Sequence, residues 1–191
     1  MTEIPMTQEF TKKPIEIEQA QPEDAEAVSE LLRITWMATY PNAEAGITEE
    51  DIRLRTEGEH GERIPKNIQR WRESIESNDG SRAVFVAREN GKVVGVAAPG
   101  ITEGKRRIGA LYVLPTMQGK GVGSRLMEQA LAWHGDDEDI YLAVANYNQN
   151  AINFYKRFGF VETDTPITDE GNVYGDTRIP EIEMVRPRVK Q

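Results

Sequence analysis

The chain has 191 residues, 38% of them apolar, which suits one domain of ordinary size with a wet surface. Its 32 acidic residues outnumber 23 basic ones, and the formal charge of -9 repels nucleic-acid phosphates and disfavours DNA or RNA as a partner. With no cysteine it has no disulfide, thiolate metal site or cysteine nucleophile, and its two histidines, His60 and His134, have no zinc-ligand spacing.

No apolar run approaches the ~20 residues of a membrane span. The segment Met1-Thr2-Glu3-Ile4-Pro5 lacks the basic-then-apolar pattern of a signal peptide. A cytoplasmic protein with no membrane partner and no metal is expected. Residues 1–13 are polar and irregular and read as a flexible tail, ahead of a single domain over residues 14–187.

The first strand is Ile15-Glu16-Ile17, by its alternation. Pro22-Glu23-Asp24 opens a helix, with proline and acids in its first turn. Ala27, Val28, Leu31, Leu32 and Met37 carry the helix to about Thr39, and Pro41 stops it. Thr48 and Asp51 have capping-box spacing for a short helix to about Arg55. Pro65 starts another, with Ile68, Trp71 and Ile75 on one face, ended by Asn78-Asp79-Gly80. Next comes a hairpin: residues 83–87 and 93–98 flank Asn90-Gly91, a pair that accepts the positive φ of a tight turn. A polar loop is expected over Gly100 to Arg106, then an apolar strand from Ile108 to Leu114.

Residues 118–123 read Gln-Gly-Lys-Gly-Val-Gly and enter a helix carrying Val122, Leu126, Ala130 and Trp133 on one side. A glycine-rich helix entry suits an anion: the first N–H groups have no partner within the helix, and the aligned dipoles leave positive charge there. Lys120 and Arg125 add mobile cations. The frame is neither a P-loop nor a Rossmann fingerprint, which disfavours a nucleotide-binding protein of those kinds. His134 before Gly135 reads as a cation at a helix C-terminus. Ile140 to Val144 is a further strand, Asn148 begins another helix, and Phe160 resumes extended chain. Thr163 to Arg178 reads as a long polar loop before a last strand from Ile179 to Arg186.

This order gives one α/β domain: a central mixed, mostly antiparallel sheet of about seven strands flanked by helices, with a helical insert after the first helix.

Two segments in series carry a family resemblance. Gln118, Gly121 and Gly123 fit Gln/Arg-x-x-Gly-x-Gly/Ala. Asn148, Ala151, Phe154, Tyr155, Gly159 and Phe160 fit Asn-x-x-Ala-x-x-Phe/Leu-Tyr-x-x-x-Gly-Phe. Together they resemble the GCN5-related N-acetyltransferase (GNAT) superfamily. The resemblance covers roughly residues 15–186, and the region of the first helix is loosely similar to the bacterial PaiA-like subgroup. It implies an enzyme that moves the acetyl group of acetyl-CoA to a primary amine of a small molecule or peptide, as a monomer or homodimer. The alternative is a CoA-binding regulatory module without turnover.

By that resemblance, the main chain of Gln118, Gly119, Lys120, Gly121, Val122 and Gly123 wraps the pyrophosphate of acetyl-CoA. The Ser124 hydroxyl either adds a bond or faces solvent. Leu111, Tyr112 and Val113 offer strand groups to the pantetheine arm, much as a sheet edge takes a peptide. Asn148 either bonds that arm or merely caps its helix. Tyr155 is the implied general acid for the departing thiolate; otherwise it is an aromatic core residue. Trp36 and Tyr40 share one helix face and either line the acceptor pocket or pack in the core. Many family members use a strand glutamate as base. Here the strand leading to Leu111 holds no carboxylate, so Glu103, Glu44 and Tyr40 remain loose candidates. The acidic surface mildly attracts a cationic acceptor.

Overall fold

A computed structural model of the chain describes residues 14–77, 79–166 and 179–189. The expected tail at 1–13, Asn78, and residues 167–178 of the expected polar loop lie outside the described residues.

Twelve elements follow one another: β1 (Glu16–Gln19), α1 (Ala25–Thr39), α2 (Glu49–Thr56), α3 (Arg63–Glu76), β2 (Phe85–Glu89), β3 (Lys92–Thr102), β4 (Lys105–Val113), α4 (Val122–His134), β5 (Ile140–Ala145), α5 (Gln149–Arg157), β6 (Val161–Pro166) and β7 (Glu181–Arg186). The seven strands make one sheet in the order β1-β2-β3-β4-β5-β7-β6. Only β4 and β5 run parallel; the other neighbours are antiparallel. The expected α/β architecture and the helical insert after the first helix are both present.

Local chemistry sets the ends of the elements. At Pro22 the chain takes one 3-10 turn before α1. There the Asp24 carboxylate accepts the Gln21 N–H at 2.8 Å and the Arg88 guanidinium at 2.7 Å, which fixes the helix start to β2. Before α2, the Thr48 hydroxyl accepts the Asp51 N–H at 3.1 Å, while Asp51 accepts the Thr48 N–H at 2.8 Å. This is the expected capping box. The Asn90-Gly91 turn has φ of 53° and 78°, as the hairpin requires.

Three expectations need correction. The polar loop at Gly100 to Arg106 is a second hairpin: β3 runs to Thr102, β4 starts at Lys105, and Glu103 and Gly104 turn with φ of 52° and 74°. Its strand ends are exposed and polar, so they lack the apolar alternation that marks a half-buried strand. The expected loop at 163–178 begins later, because β6 continues to Pro166. His134 is not a solvated helix-end cation. It is 6% exposed, and burial lowers its pKa. Its Nε2 lies 2.9 Å from the Arg107 carbonyl, which can only accept, so Nε2 donates; Nδ1 is buried without a partner among the described residues.

Each face of the sheet has its own core. On the α4–α5 side, Leu126, Met127 and Ile152 of those helices pack with Phe85, Leu142, Phe160 and Met184. Phe160 is 1% exposed, and burying such a ring is worth roughly 1.5–3 kcal/mol. Against α1 and α3 lie Val28, Leu31, Val84, Val86 and Val96. A third cluster holds Tyr40, Ile47, Ile52, Ala145 and Ile179, with Trp36, Tyr112 and Tyr147 packed on it.

Candidate active site

The site begins where the sheet opens. β4 and β5 pair only at Arg106 with Ile140 and Arg107 with Tyr141. Past that point a bulge at Gly109 shifts the register of β4 on β3: Ala98 faces Ala110 and Pro99 faces Ile108. Bulges bend a strand and end pairing, and they recur next to active sites. Leu111, Tyr112 and Val113 keep Ala97, Val96 and Gly95 as partners on β3 but have no ladder partner on β5. Their other main-chain edge is therefore available to an extended amide chain.

The glycine turn lies at the end of that edge. After a 3-10 turn at Pro115–Met117, Gln118 reaches back and its Nε2 donates to the Val113 carbonyl at 3.4 Å. Gly119 and Gly121 have φ of 74° and 80°, and Gly121 is the N-cap of α4. A Cβ on either would meet no protein atom within 4 Å. Among the described residues, no N–H from Gly119 to Ser124 donates to a main-chain acceptor. Unpaired donors at a helix N-terminus beside open space fit a phosphate-bearing ligand. Gly123 differs from Gly119 and Gly121: a Cβ there would make an ordinary van der Waals contact with the Phe154 ring at 3.5 Å, so this glycine lies against α5 and not beside open space. Val122 is 1% exposed and can contribute only its main chain. Ser124 is half-buried. Lys120 stays beside the turn, with Nζ 3.5 Å from the Met117 sulfur. Arg125 is exposed and donates to the Ile15 carbonyl.

Tyr155 projects from α5, edge-on to Phe154 at 5.5 Å and to Phe160 at 6.0 Å. Burial pushes its hydroxyl well above the ordinary phenol range, and neighbouring Tyr112 adds to the rise. Tyr155 therefore stays protonated at neutral pH. At the start of α5, the Asn148 Oδ1 accepts the Ala151 N–H at 3.1 Å, so the cap is formed; its amide nitrogen makes no bond among the described residues.

Opposite lies an aromatic group. The Tyr112 and Tyr40 hydroxyls are 3.0 Å apart. Trp36 meets Tyr40 edge-on at 4.8 Å and Tyr112 at 6.3 Å, with the Arg55 guanidinium 4.7 Å over its ring. The Tyr147 hydroxyl donates to the Tyr40 carbonyl at 2.8 Å. Tyr40 is 9% exposed and packs in a core cluster, and Tyr112 of the open β4 edge packs on the same cluster. A cavity of about 560 Å³ between α1, α2 and α3 touches this group through Trp36 and Arg55, but the glycine turn is not in its wall.

The candidate bases separate clearly. Glu103 sits in the β3–β4 turn, at the opposite end of β4 from Tyr112. Glu44 is an exposed loop residue. Only Tyr40 borders the site. Sequence reasoning missed Glu181 and Glu183 on β7, and Arg107, whose Nη2 meets Glu183 at 3.1 Å. The signal was there in the alternation Glu181-Ile182-Glu183-Met184, but only the register puts the two acids beside β5. No group of three or more metal-ligating side chains gathers among the described residues.

Comparison with known proteins agrees with this geometry. The profile of the acetyltransferase (GNAT) family matches residues 32–160. An uncharacterised N-acetyltransferase of Mycobacterium tuberculosis is 36% identical over 87 residues, 43% of this chain and 54% of its own. The Escherichia coli peptidyl-lysine N-acetyltransferase YiaC is 36% identical over 86 residues, 45% of this chain and 55% of its own. The matches thus span about half the length of these relatives. In fold, the PaiA N-acetyltransferase of Thermoplasma acidophilum, solved with coenzyme A, superposes with a TM-score of 0.62 at 22% identity, covering 92% of this chain and 99% of that one. The ribosomal-protein-S18-alanine N-acetyltransferase of Escherichia coli gives 0.59 at 18% identity, covering 93% and 96%. With its open β4 edge, its glycine turn and a family match over most of its length, this chain belongs to the GNAT acetyltransferase family.

Proposed function

We propose that the chain transfers the acetyl group of acetyl-CoA to a primary amine of a small molecule or peptide, by direct attack of the amine on the thioester. The observation that carries this reading is the unpaired edge of Leu111 to Val113, with a donor-rich glycine turn at its end. YiaC and the S18-alanine enzyme are named for amine acceptors, which supports the same chemistry here.

In this reading, the N–H groups from Gly119 to Ser124 hold the pyrophosphate, with Gln118 leading into the turn, and Lys120 adds charge. Leu111, Tyr112 and Val113 pair with the pantetheine arm, and the Asn148 amide nitrogen adds a donor to it. These contacts place the acetyl carbonyl in the gap. The attacking nitrogen forms the C–N bond as the C–S bond breaks, and the Tyr155 hydroxyl protonates the thiolate. The hydroxyl is protonated at neutral pH, as a general acid must be. Trp36 and Tyr40 line the acceptor side.

The test is calorimetric titration with acetyl-CoA and CoA, followed by thiol release with a panel of amines. Saturable binding and amine-dependent release are expected. Binding without release from any amine would leave only a CoA-binding module.

A further inference from the structure

The transfer needs a home for one more proton. An alkyl amine arrives as an ammonium ion, and β4 carries no carboxylate. Strand β7, on the far side of β5, supplies one. Along β7, Ile182 and Met184 face the core shared with α4 and α5, so Glu181 and Glu183 face the other side. Glu183 is 8% exposed and is held by Arg107. Glu181 lies nearer the site. It stands opposite Ala145, at the end of β5, and the neighbouring Asn146 N–H donates to the Pro180 carbonyl at 2.9 Å, pinning the start of β7. Past the Arg107–Tyr141 pair, β4 and β5 form no further ladder, so Glu181 is placed by its partner Ala145 and not by pairing to β4. Ala145 and Ile179 share a cluster with Tyr40, Tyr112 and Tyr147, which surrounds this position. Burial is the main reason that these three hydroxyls are held above the ordinary phenol range, and the charge of Glu181 adds to the rise at each.

We propose that Glu181 receives the acceptor amine: its carboxylate anchors the ammonium at the gap and takes the proton that must leave before nitrogen attacks. The acceptor is therefore a cationic primary amine, held between a carboxylate and the rings of Tyr40 and Tyr112. This rests on the acetyl-transfer reading above. Glu181 takes the first ammonium proton and passes it to solvent. The nitrogen lone pair forms the C–N bond, and the C–S electron pair leaves on sulfur. The Tyr155 proton goes to that thiolate, and the second amine proton restores Tyr155. Aromatic faces beside a carboxylate favour a cation over a neutral or acidic acceptor.

The experiment compares Glu181→Gln, Glu181→Asp and the unaltered chain in thiol release from acetyl-CoA, with a linear diamine and a lysine-containing peptide as probes. In Glu181→Gln, kcat/KM for the amine should fall by roughly 10²- to 10⁴-fold at neutral pH, with acetyl-CoA affinity within about twofold of the unaltered chain. The deficit should shrink as pH rises towards the pKa of the amine, because a neutral amine needs no base. Glu181→Asp should recover part of the loss. Unchanged kcat/KM, a deficit equal at every pH, or a matching loss of acetyl-CoA affinity overturns the role of Glu181 while leaving acetyl transfer standing. An unaltered chain that binds acetyl-CoA but releases no thiol with either probe, and binds neither probe in the presence of CoA, overturns both readings.

Discussion

The two faces of the sheet are built in different ways. The α4–α5 face is a continuous apolar core, from Phe85 through Leu126 and Leu142 to Phe160. The glycine turn and Tyr155 belong to it, and both come from the stretch between Gln118 and Phe160. The α1–α3 side is more polar near the gap: tyrosine hydroxyls bond to one another, Arg55 covers Trp36, and Glu183 pairs with Arg107. Its residues come from α1, α2, β4, β7 and the loop after β5. The contrast suggests a division of labour. A compact segment on a dry, rigid face suits a cofactor-binding site, while parts gathered from distant segments can vary separately and suit acceptor choice.

The sharpest way to break this division is Gly121→Val. A Cβ there meets no protein atom within 4 Å, and the φ of 80° resists an L residue by at least roughly 1–2 kcal/mol. The fold should survive with a modestly lower Tm, while acetyl-CoA binding is lost by calorimetry. Retained binding would remove the turn from the cofactor site.

Next in size is Tyr155→Phe, which keeps the ring and removes the proton. It should lower kcat by roughly ten- to a thousand-fold with acetyl-CoA affinity unchanged, the range for loss of one general acid. An unchanged kcat in steady-state assays would make Tyr155 a packing residue.

On the opposite side, Tyr40→Phe removes a hydroxyl bonded to Tyr112 at 3.0 Å. It should cost about 1 kcal/mol of stability in urea titration and raise the amine KM by a few-fold, leaving acetyl-CoA affinity alone. A change confined to acetyl-CoA affinity would erase the distinction between the faces.

The smallest effect concerns His134, at the end of the paired part of β4 and β5. Its folded pKa is lowered by burial from the ordinary 6.5. Above 6.5 it is neutral in both folded and unfolded states and contributes no pH dependence. As pH falls below 6.5 the unfolded chain takes up the proton first, so stability is lost until pH passes the folded pKa. Thermal melts should show Tm declining over that window, and His134→Gln should flatten the decline. Carboxylates in the ion pairs add their own loss at lower pH, so the difference between the two proteins is the measurement.

Much of this molecule was legible from residue order. The Asn90-Gly91 hairpin, the Thr48–Asp51 capping box and the glycine turn depend on neighbours in sequence, and so does the Asn148 cap on α5. Backbone preference and helix-end chemistry act over a few residues and leave a local trace. The second hairpin at Glu103-Gly104 left a fainter trace, because exposed strands need no apolar alternation. What only the tertiary structure decided was the pairing between distant strands. The bulge at Gly109 and the parting of β4 from β5 free the edge at Leu111 to Val113. The register of β7 on β5 sets Glu181 opposite Ala145, which lies in the cluster that Tyr112 packs on. Packing of α1 against the same gap turns Tyr40 from a helix-face aromatic into a partner of Tyr112. Register is set by the summed burial of whole strands and not by any short motif, so a carboxylate drawn from β7 could be assigned only once the sheet was assembled.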